Sequence, residues 1–246
     1  MKRKLDLAAC FVFLFMFLGS AVGIGITLNR YKQINKTYSD LQESFVVQVA
    51  NETEQAPISV DFEKLMQENS DIIGWLYCEN TPIQYPVVQS DDNDYYLRRD
   101  LHGEYLSGGT LFVDYRCQAV GAEQNFIIYG HNMKNSSMFG TLEKYKQQSY
   151  YDEHPVLYYL TADTDYKIEL FAGLITKSDS EIYSPSFGDT QSFESVLQSI
   201  REKSTFNSDV TVTANDHIVT LSTCSYEFNN ARYVVFGKLT RLSVSD

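Results

Sequence analysis

A mainly β, sheet-closed domain with peripheral helices, carried behind an N-terminal membrane-spanning helix, is the fold predicted by this 246-residue sequence. Three observations predict it. Nine short runs rich in Val, Ile, Tyr and Phe are separated by Gly, Pro, Asn and Asp clusters, the pattern of a barrel or sandwich. Two longer stretches with helical character interrupt them. Residues 7–28 carry no charge at all, enough for a span of about 20 residues. With 43% hydrophobic and 14% aromatic residues, the chain can fill a core of ordinary size.

Taken in order, residues 1–30 read as a cytoplasmic stub and transmembrane anchor. Lys2, Arg3 and Lys4 hold the start in the cytoplasm by the positive-inside rule and put everything after Arg30 outside the cell membrane. Arg30, Lys32 and Lys36 pull against that topology without reversing it. A secretory signal has an apolar core of only about 7–15 residues, so an uncleaved single-pass anchor is expected, although Gly19, Ser20, Ala21 and Gly23 leave cleavage open. Residues 31–60 read as an extracellular stalk or linker, with N-E-T-E-Q-A-P at 51–57 as its turn-rich part. The remainder, 61–246, is one domain.

Within it, 61–67 is a short helix with acidic residues in its first turn. Strands are expected at 72–77, 83–88, 110–113, 125–129, 156–160, 166–176, 210–213, 218–223 and 233–239. Helices are expected at 138–148 and at 191–203, the latter with an apolar stripe at 193, 196, 197 and 200. The pattern implies a mostly antiparallel closed sheet.

Charge and cysteine usage exclude several functions. Taking Lys2, Arg3, Lys4, Arg30 and Asp6 from the 20 basic and 32 acidic residues leaves 16 and 31, a net of −15 outside the anchor. Phosphate neutralisation dominates nucleic-acid affinity, so nucleic-acid binding is excluded. Cys10 lies in the apolar run, leaving Cys78, Cys117 and Cys224 outside, an odd number. A Cys78–Cys117 bridge and two buried thiols are equally compatible with the sequence. Of His102, His131, His154 and His217, no pair has metal-ligand spacing, so neither a metal nor another cofactor is expected. His102 and His154 are expected at the surface.

The chemistry concentrates in H-I-V-T-L-S-T-C-S-Y-E-F-N-N-A-R, 217–232. The strand stops at Cys224, a loop follows, and Arg232 opens the next strand. In a hairpin neighbouring backbones lie about 4.8 Å apart, so a thiol and a fixed positive charge share one end of a sheet. His217, seven positions before Cys224, is more than about 20 Å from it along an extended strand. His131 sits at another strand end, after Gly130 in N-F-I-I-Y-G-H-N-M. Cysteine acyl transfer needs a thiolate, a proton donor for the leaving group and an oxyanion partner. Cys224, His131 and Arg232 are one candidate for each.

The segment Y-G-H-N-M-K-N-S-S-M-F-G-T-L-E-K-Y (129–145), the T-L-S-T-C run (220–224) and the Arg eight residues after the Cys together resemble the class B sortases, membrane-anchored transpeptidases that join surface proteins to Gram-positive peptidoglycan. The similarity covers about residues 60–240. It implies a sortase β-barrel of about eight strands with extra helices. It also implies cleavage of an N-P-x-T-x type sorting signal through a Cys224 thioester, with transfer to an amine of peptidoglycan or of a lipid-linked cell-wall precursor. By the same resemblance Asn93, Leu97, Ile182 and Tyr183 are substrate-site residues, and Ser222 and Thr223 are candidates to line the groove beside the thiol. Two rival readings use the same residues: a cell-wall L,D-transpeptidase or other extracellular cysteine peptidase, and a non-catalytic tethered surface module. The first expects an S-H-G-C context or, if papain-like, Cys before His, whereas here His131 precedes Cys224 by 93 residues. The second predicts an inert thiol.

Overall fold

The structure, a computed structural model, describes residues 2–49 and 55–242. Its first element is one continuous helix, α1 (Lys2–Phe45). Phe13–Phe45 within it is long and apolar enough to cross a membrane, and Phe13, Phe15 and Phe17 are exposed. The helix runs on through the segment expected to be a polar stalk. Ile34, Tyr38, Leu41 and Phe45 recur at helical spacing and form one apolar face. Ile34 and Tyr38 are buried in the domain core. The Tyr38 hydroxyl donates to the Gly109 carbonyl, and Gln42 Nε2 donates to the Gln84 carbonyl at 2.7 Å. After the helix, β1 (Val46–Gln48) and β2 (Ile58–Val60) pair antiparallel. Residues 31–49 and 55–60 are thus built onto the domain, because apolar positions that look scattered in sequence share a face once the chain is helical. Asn51 to Glu54 of the expected turn lie outside the described residues.

The expected closed sheet is present with eight strands. β3 (Ile72–Tyr77), β4 (Gln84–Val88), β5 (Leu111–Val113), β6 (Asn125–Tyr129), β7 (Val156–Leu160), β8 (Tyr166–Lys177), β9 (His217–Cys224) and β10 (Ala231–Arg241) form a barrel in the order β10-β8-β7-β3-β4-β5-β6-β9. All neighbours are antiparallel except β4–β5 and β6–β9. A parallel pair requires a long crossover, and the one from β6 to β9 spans 130–216 and carries two barrel strands and two helices. Residues 210–213, expected to be a strand, are irregular: Val212 is buried, but the segment joins no ladder.

Three helices surround the barrel. In α2 (Phe62–Glu68) the Asp61 side chain accepts from Lys64 N–H, and in α4 (Thr190–Glu202) Asp189 accepts from Ser192 N–H. Phe193, Leu197 and Ile200 are the buried stripe of α4. The helix expected at 138–148 is displaced to a 3-10 turn at Leu142–Lys146 followed by α3 (Gln148–Glu153). Met138 explains the shift. Its φ is 51°, and its N–H is used by the Tyr85 hydroxyl at 2.9 Å, so helical bonding cannot begin there.

Because Ile34 is fully buried between α1 and the barrel, where its side chain lies against Gly108, Ile34→Ala in the full-length protein should cost about 2–5 kcal/mol. Denaturant unfolding in detergent checks this; an unchanged midpoint would mean that α1 does not pack on the domain.

Candidate active site

Two strand pairings assemble the site. β9 and β10 pair with Cys224 opposite Arg232, and Ser225 N–H donates to the Ala231 carbonyl at 3.0 Å, closing a five-residue loop, 226–230. On its other side β9 runs parallel to β6 with Tyr129 opposite Ser222, and Gly130 N–H donates to the Ser222 carbonyl at 3.1 Å. His131 therefore leaves β6 beside the point where Cys224 ends β9. Gly130 is required there, since a Cβ would lie 2.4 Å from Leu111 Cδ2 and 2.7 Å from Phe139. The barrel brings the strand ends that carry Cys224, His131 and Arg232 to one mouth.

His131 Nε2 lies 2.7 Å from the Leu97 carbonyl. A carbonyl only accepts, so Nε2 carries the proton and the neutral ring keeps Nδ1 open. Burial pushes the imidazole below its ordinary value; the Leu97 bond opposes that shift and Arg98 adds to it. Cys224 is partly exposed and unbridged. Arg232 Nη1 donates to the Ala231 carbonyl at 3.0 Å, which turns the guanidinium back along its own strand.

The other candidates are tied to β9, to the turn that carries His131 and to Asp114. Ser222 is buried with its Oγ 2.8 Å from the Tyr183 hydroxyl. Thr223 Oγ1 donates to the Gly130 carbonyl at 2.8 Å, which ties β9 to the root of His131. Both hydroxyls are thus engaged with the protein. Ile182 and Tyr183 are each 8% exposed. Burial pushes the Tyr183 phenol up to about 12; the bond to Ser222 and the charge of Arg232 oppose this, and Cys224 adds to it. Tyr183 is thus an electrostatic neighbour of both. Leu97 contributes its carbonyl to His131, while Asn93 Nδ2 donates to Asp114 Oδ2 at 3.2 Å and Asn93 Oδ1 accepts from Tyr115 N–H at 3.0 Å.

Sequence reasoning missed the residue that links Asn93 to Tyr183. The Asp114 side chain is wholly buried and accepts from Arg116 Nε at 2.8 Å, Arg116 Nη2 at 2.7 Å and the Tyr129 hydroxyl at 2.9 Å, besides Asn93. Arg116 Nη2 also reaches the Tyr183 carbonyl at 2.8 Å. Burial alone would raise the Asp114 carboxyl, but the bonds from Arg116 and Tyr129 bring it below the ordinary range. The only sequence signal was D-Y-R, an acid and a base two apart after a strand. Asn132 was missed as well, although it stands next to His131: its Nδ2 donates to the Cys224 carbonyl at 2.8 Å.

The remaining cysteines and histidines stand apart. Cys78 and Cys117 are buried free thiols, the first 3.6 Å from the Val156 carbonyl and the second 3.7 Å from that of Asn125, so neither bridges the other. His154, expected at the surface, is largely covered and packs on Tyr150 with ring centroids 4.6 Å apart. His102 is exposed. Among the described residues no three His, Cys, Asp or Glu side chains come together as a metal site. A cavity of about 310 Å³ lies behind Ile182, between β8, α4 and Phe228. A second, of about 730 Å³, is lined by β2, α2 and the β7–β8 turn and contains none of the residues above.

The sequence model of the sortase domain family matches residues 76–240. Sortase B of Listeria monocytogenes is 35% identical over 240 residues, covering 97% of this chain and 98% of that protein. Sortase B of Staphylococcus aureus is 33% identical over 214 residues, 86% of this chain and 87% of that one. Among solved structures, the S. aureus sortase B–substrate complex superposes with a TM-score of 0.74 at 31% identity, covering 86% of this chain and 98% of that one. Sortase B from B. anthracis in complex with AAEK1 gives 0.76 at 36% identity over 87% and 99%. A sortase B complexed with triglycine gives 0.70 at 34% identity over 74% and 86%.

Asp114→Ala removes the buried partner of Arg116, Tyr129 and Asn93 together. It should cost about 3 kcal/mol, the low end for breaking such a pair, because the 43% exposed Arg116 can turn to solvent. Thermal unfolding beside the wild type checks it, and a change below about 0.5 kcal/mol would refute the bracing role.

Proposed function

The chain belongs to the sortase family of cysteine transpeptidases, and on that premise we propose that Cys224, His131 and Arg232 carry its acyl transfer. The observation that supports this most is the convergence of β6, β9 and β10, with Cys224 opposite Arg232 and Asn132 Nδ2 on the Cys224 carbonyl. The Cys224 thiolate attacks the carbonyl carbon of one peptide bond in a C-terminal sorting signal of the N-P-x-T-x type. Arg232 faces the developing oxyanion, for which its guanidinium must swing from Ala231 toward the thiol. Protonated His131 gives a proton to the departing amine as the C–N bond breaks, and a thioester remains on Cys224. An amine of peptidoglycan, or of its lipid-linked precursor, then attacks the thioester. His131, now neutral, takes the proton from that amine through its open Nδ1, and Cys224 departs as thiolate.

The relatives support each partner class: a sortase B is known with substrate and one with triglycine, a peptide carrying an amine. Asn93, Leu97, Ile182 and Tyr183, with Ser222 and Thr223 behind them, form the wall against which the sorting signal lies. The apolar length of α1 supports membrane anchorage, and Lys2, Arg3 and Lys4 support a cytoplasmic start with the domain outside.

Cys224→Ala should abolish both transfer and thioester trapping. Arg232→Ala should lower kcat by about 10²–10³-fold, the size of one lost oxyanion donor. Cleavage of quenched sorting-signal peptides with and without triglycine tests the reaction class: acceleration by the amine means transfer, and indifference to it means hydrolysis.

The pH profile follows from His131. The active form needs thiolate and imidazolium together, and because imidazole is ordinarily the more acidic of the two groups, the acidic limb of kcat/KM falls at the imidazole. Burial lowers the His131 value, so the acidic limb should lie below pH 6.5. A limb above that value would place the ring in a more solvated or anionic setting.

A further inference from the structure

The parallel ladder between β6 and β9 has one rung more than its backbone accounts for. Gly130 N–H donates to the Ser222 carbonyl, so the next rung would run from residue 132 to the Cys224 carbonyl. It is made by a side chain instead, Asn132 Nδ2 at 2.8 Å. The second hydrogen of the same amide goes to Glu143 Oε2, also at 2.8 Å. Both acceptors demand a donor, so Nδ2 must face them; the flipped amide would set its oxygen against a carbonyl and a carboxylate.

Glu143 is in turn held in place. Lys146 Nζ contacts its Oε1 at 2.6 Å and Glu227 Oε1 at 2.5 Å, which joins it to the loop between β9 and β10. The Ser225 hydroxyl, one residue after the thiol, is shared between Glu143 Oε1 at 3.0 Å and the Glu227 carboxylate. Burial alone would raise the Glu143 carboxyl, yet the bonds from Lys146, Asn132 and Ser225 leave it lowered and ionised at neutral pH. A half-buried carboxylate therefore stands two bonds from the nucleophile and touches neither the sulfur nor the imidazole.

We propose that Glu143 is a positioning residue for the transfer reaction, orienting the Asn132 amide so that it fixes the Cys224 backbone against the turn that carries His131. Sortase chemistry places the thiol, the imidazole and a peptide carbonyl in one geometry, and a displacement of about 1 Å in such a geometry can cost about 100-fold in rate. The device acts on geometry, not on substrate contact, so kcat should respond and KM should not. The proposal rests on Cys224 being the nucleophile.

The test is a double-mutant cycle with Glu143→Gln and Asn132→Ala in the full-length protein, with Cys224→Ala as control. Glu143→Gln keeps size but removes the charge that fixes the amide; kcat should drop about 10-fold with KM within about twofold. Because Glu143 acts through Asn132, the double variant should be no slower than Asn132→Ala alone. Unfolding midpoints identify any loss that is merely structural. If Glu143→Gln does not fold, Asn132→Ala carries the test, and its kcat should fall at least as far with KM intact. Additive effects, a change confined to KM, or wild-type kcat in either single variant would overturn the proposal. Activity surviving in Cys224→Ala would instead refute the assignment of the nucleophile.

Discussion

The parallel pairing of β6 with β9 is the constraint on which the rest of the molecule depends. In a sheet whose only other parallel pair is β4–β5, it makes two strands end at the same mouth although 93 positions separate His131 from Cys224. A hairpin alone would have brought Cys224 and Arg232 together and left the imidazole elsewhere. The crossover needed for a parallel pair is long by geometry, and the chain uses that length. Residues 130–216 hold the His131 turn, α3, β7, β8, the Ile182–Tyr183 wall and α4, all closed by a single ladder.

Two buried or half-buried carboxylates fasten the ends of that pairing. Asp114 draws together Asn93, Tyr129 and Arg116 on the side of Tyr183, which it reaches through Arg116. Glu143 draws together Asn132, Lys146 and Ser225 on the other. A carboxylate is suited to this because it offers about four acceptor sites, and donors from different segments can converge on it. Its desolvation is offset only while the donors stay in place. The acidity of the domain is therefore not all a solvated surface; some of it organises the site.

Much of this was legible in the sequence. β3, β6 and β7 begin and end where alternation and turn residues predict, and the strand ends that carry His131, Cys224 and Arg232 follow from Gly130, from the polar residues after Cys224 and from the restart at Arg232. The polar networks were not legible. Asp114 and Glu143 look like ordinary surface acids, because their partners are set by tertiary closure. Helix 138–148 was misplaced because helical composition gave no sign that Met138 adopts a left-handed conformation. The segment after Arg30 looked like a spacer because Ile34, Tyr38, Leu41 and Phe45 are apolar at a period that only an unbroken helix brings onto one face.

Protonation sets the scale on which such positioning matters. For a free thiol and a free imidazole at their reference values, about 3% and about a quarter are in the required forms at pH 7, a joint population below about 1%. A population of 1% adds about 2.7 kcal/mol to the barrier, two pH units' worth of free energy. Burial of His131 lowers the imidazolium share below that of a free imidazole. One well-placed oxyanion donor supplies about 2.7–4 kcal/mol, which is of the same size. The fixed charge opposite Cys224 can thus offset the scarcity of the active ion pair, provided that sulfur, ring and guanidinium stay in register. A site whose protonation state works against it has to be rigid, and the side-chain rung from Asn132 to the Cys224 carbonyl supplies rigidity at the point where the backbone ladder stops.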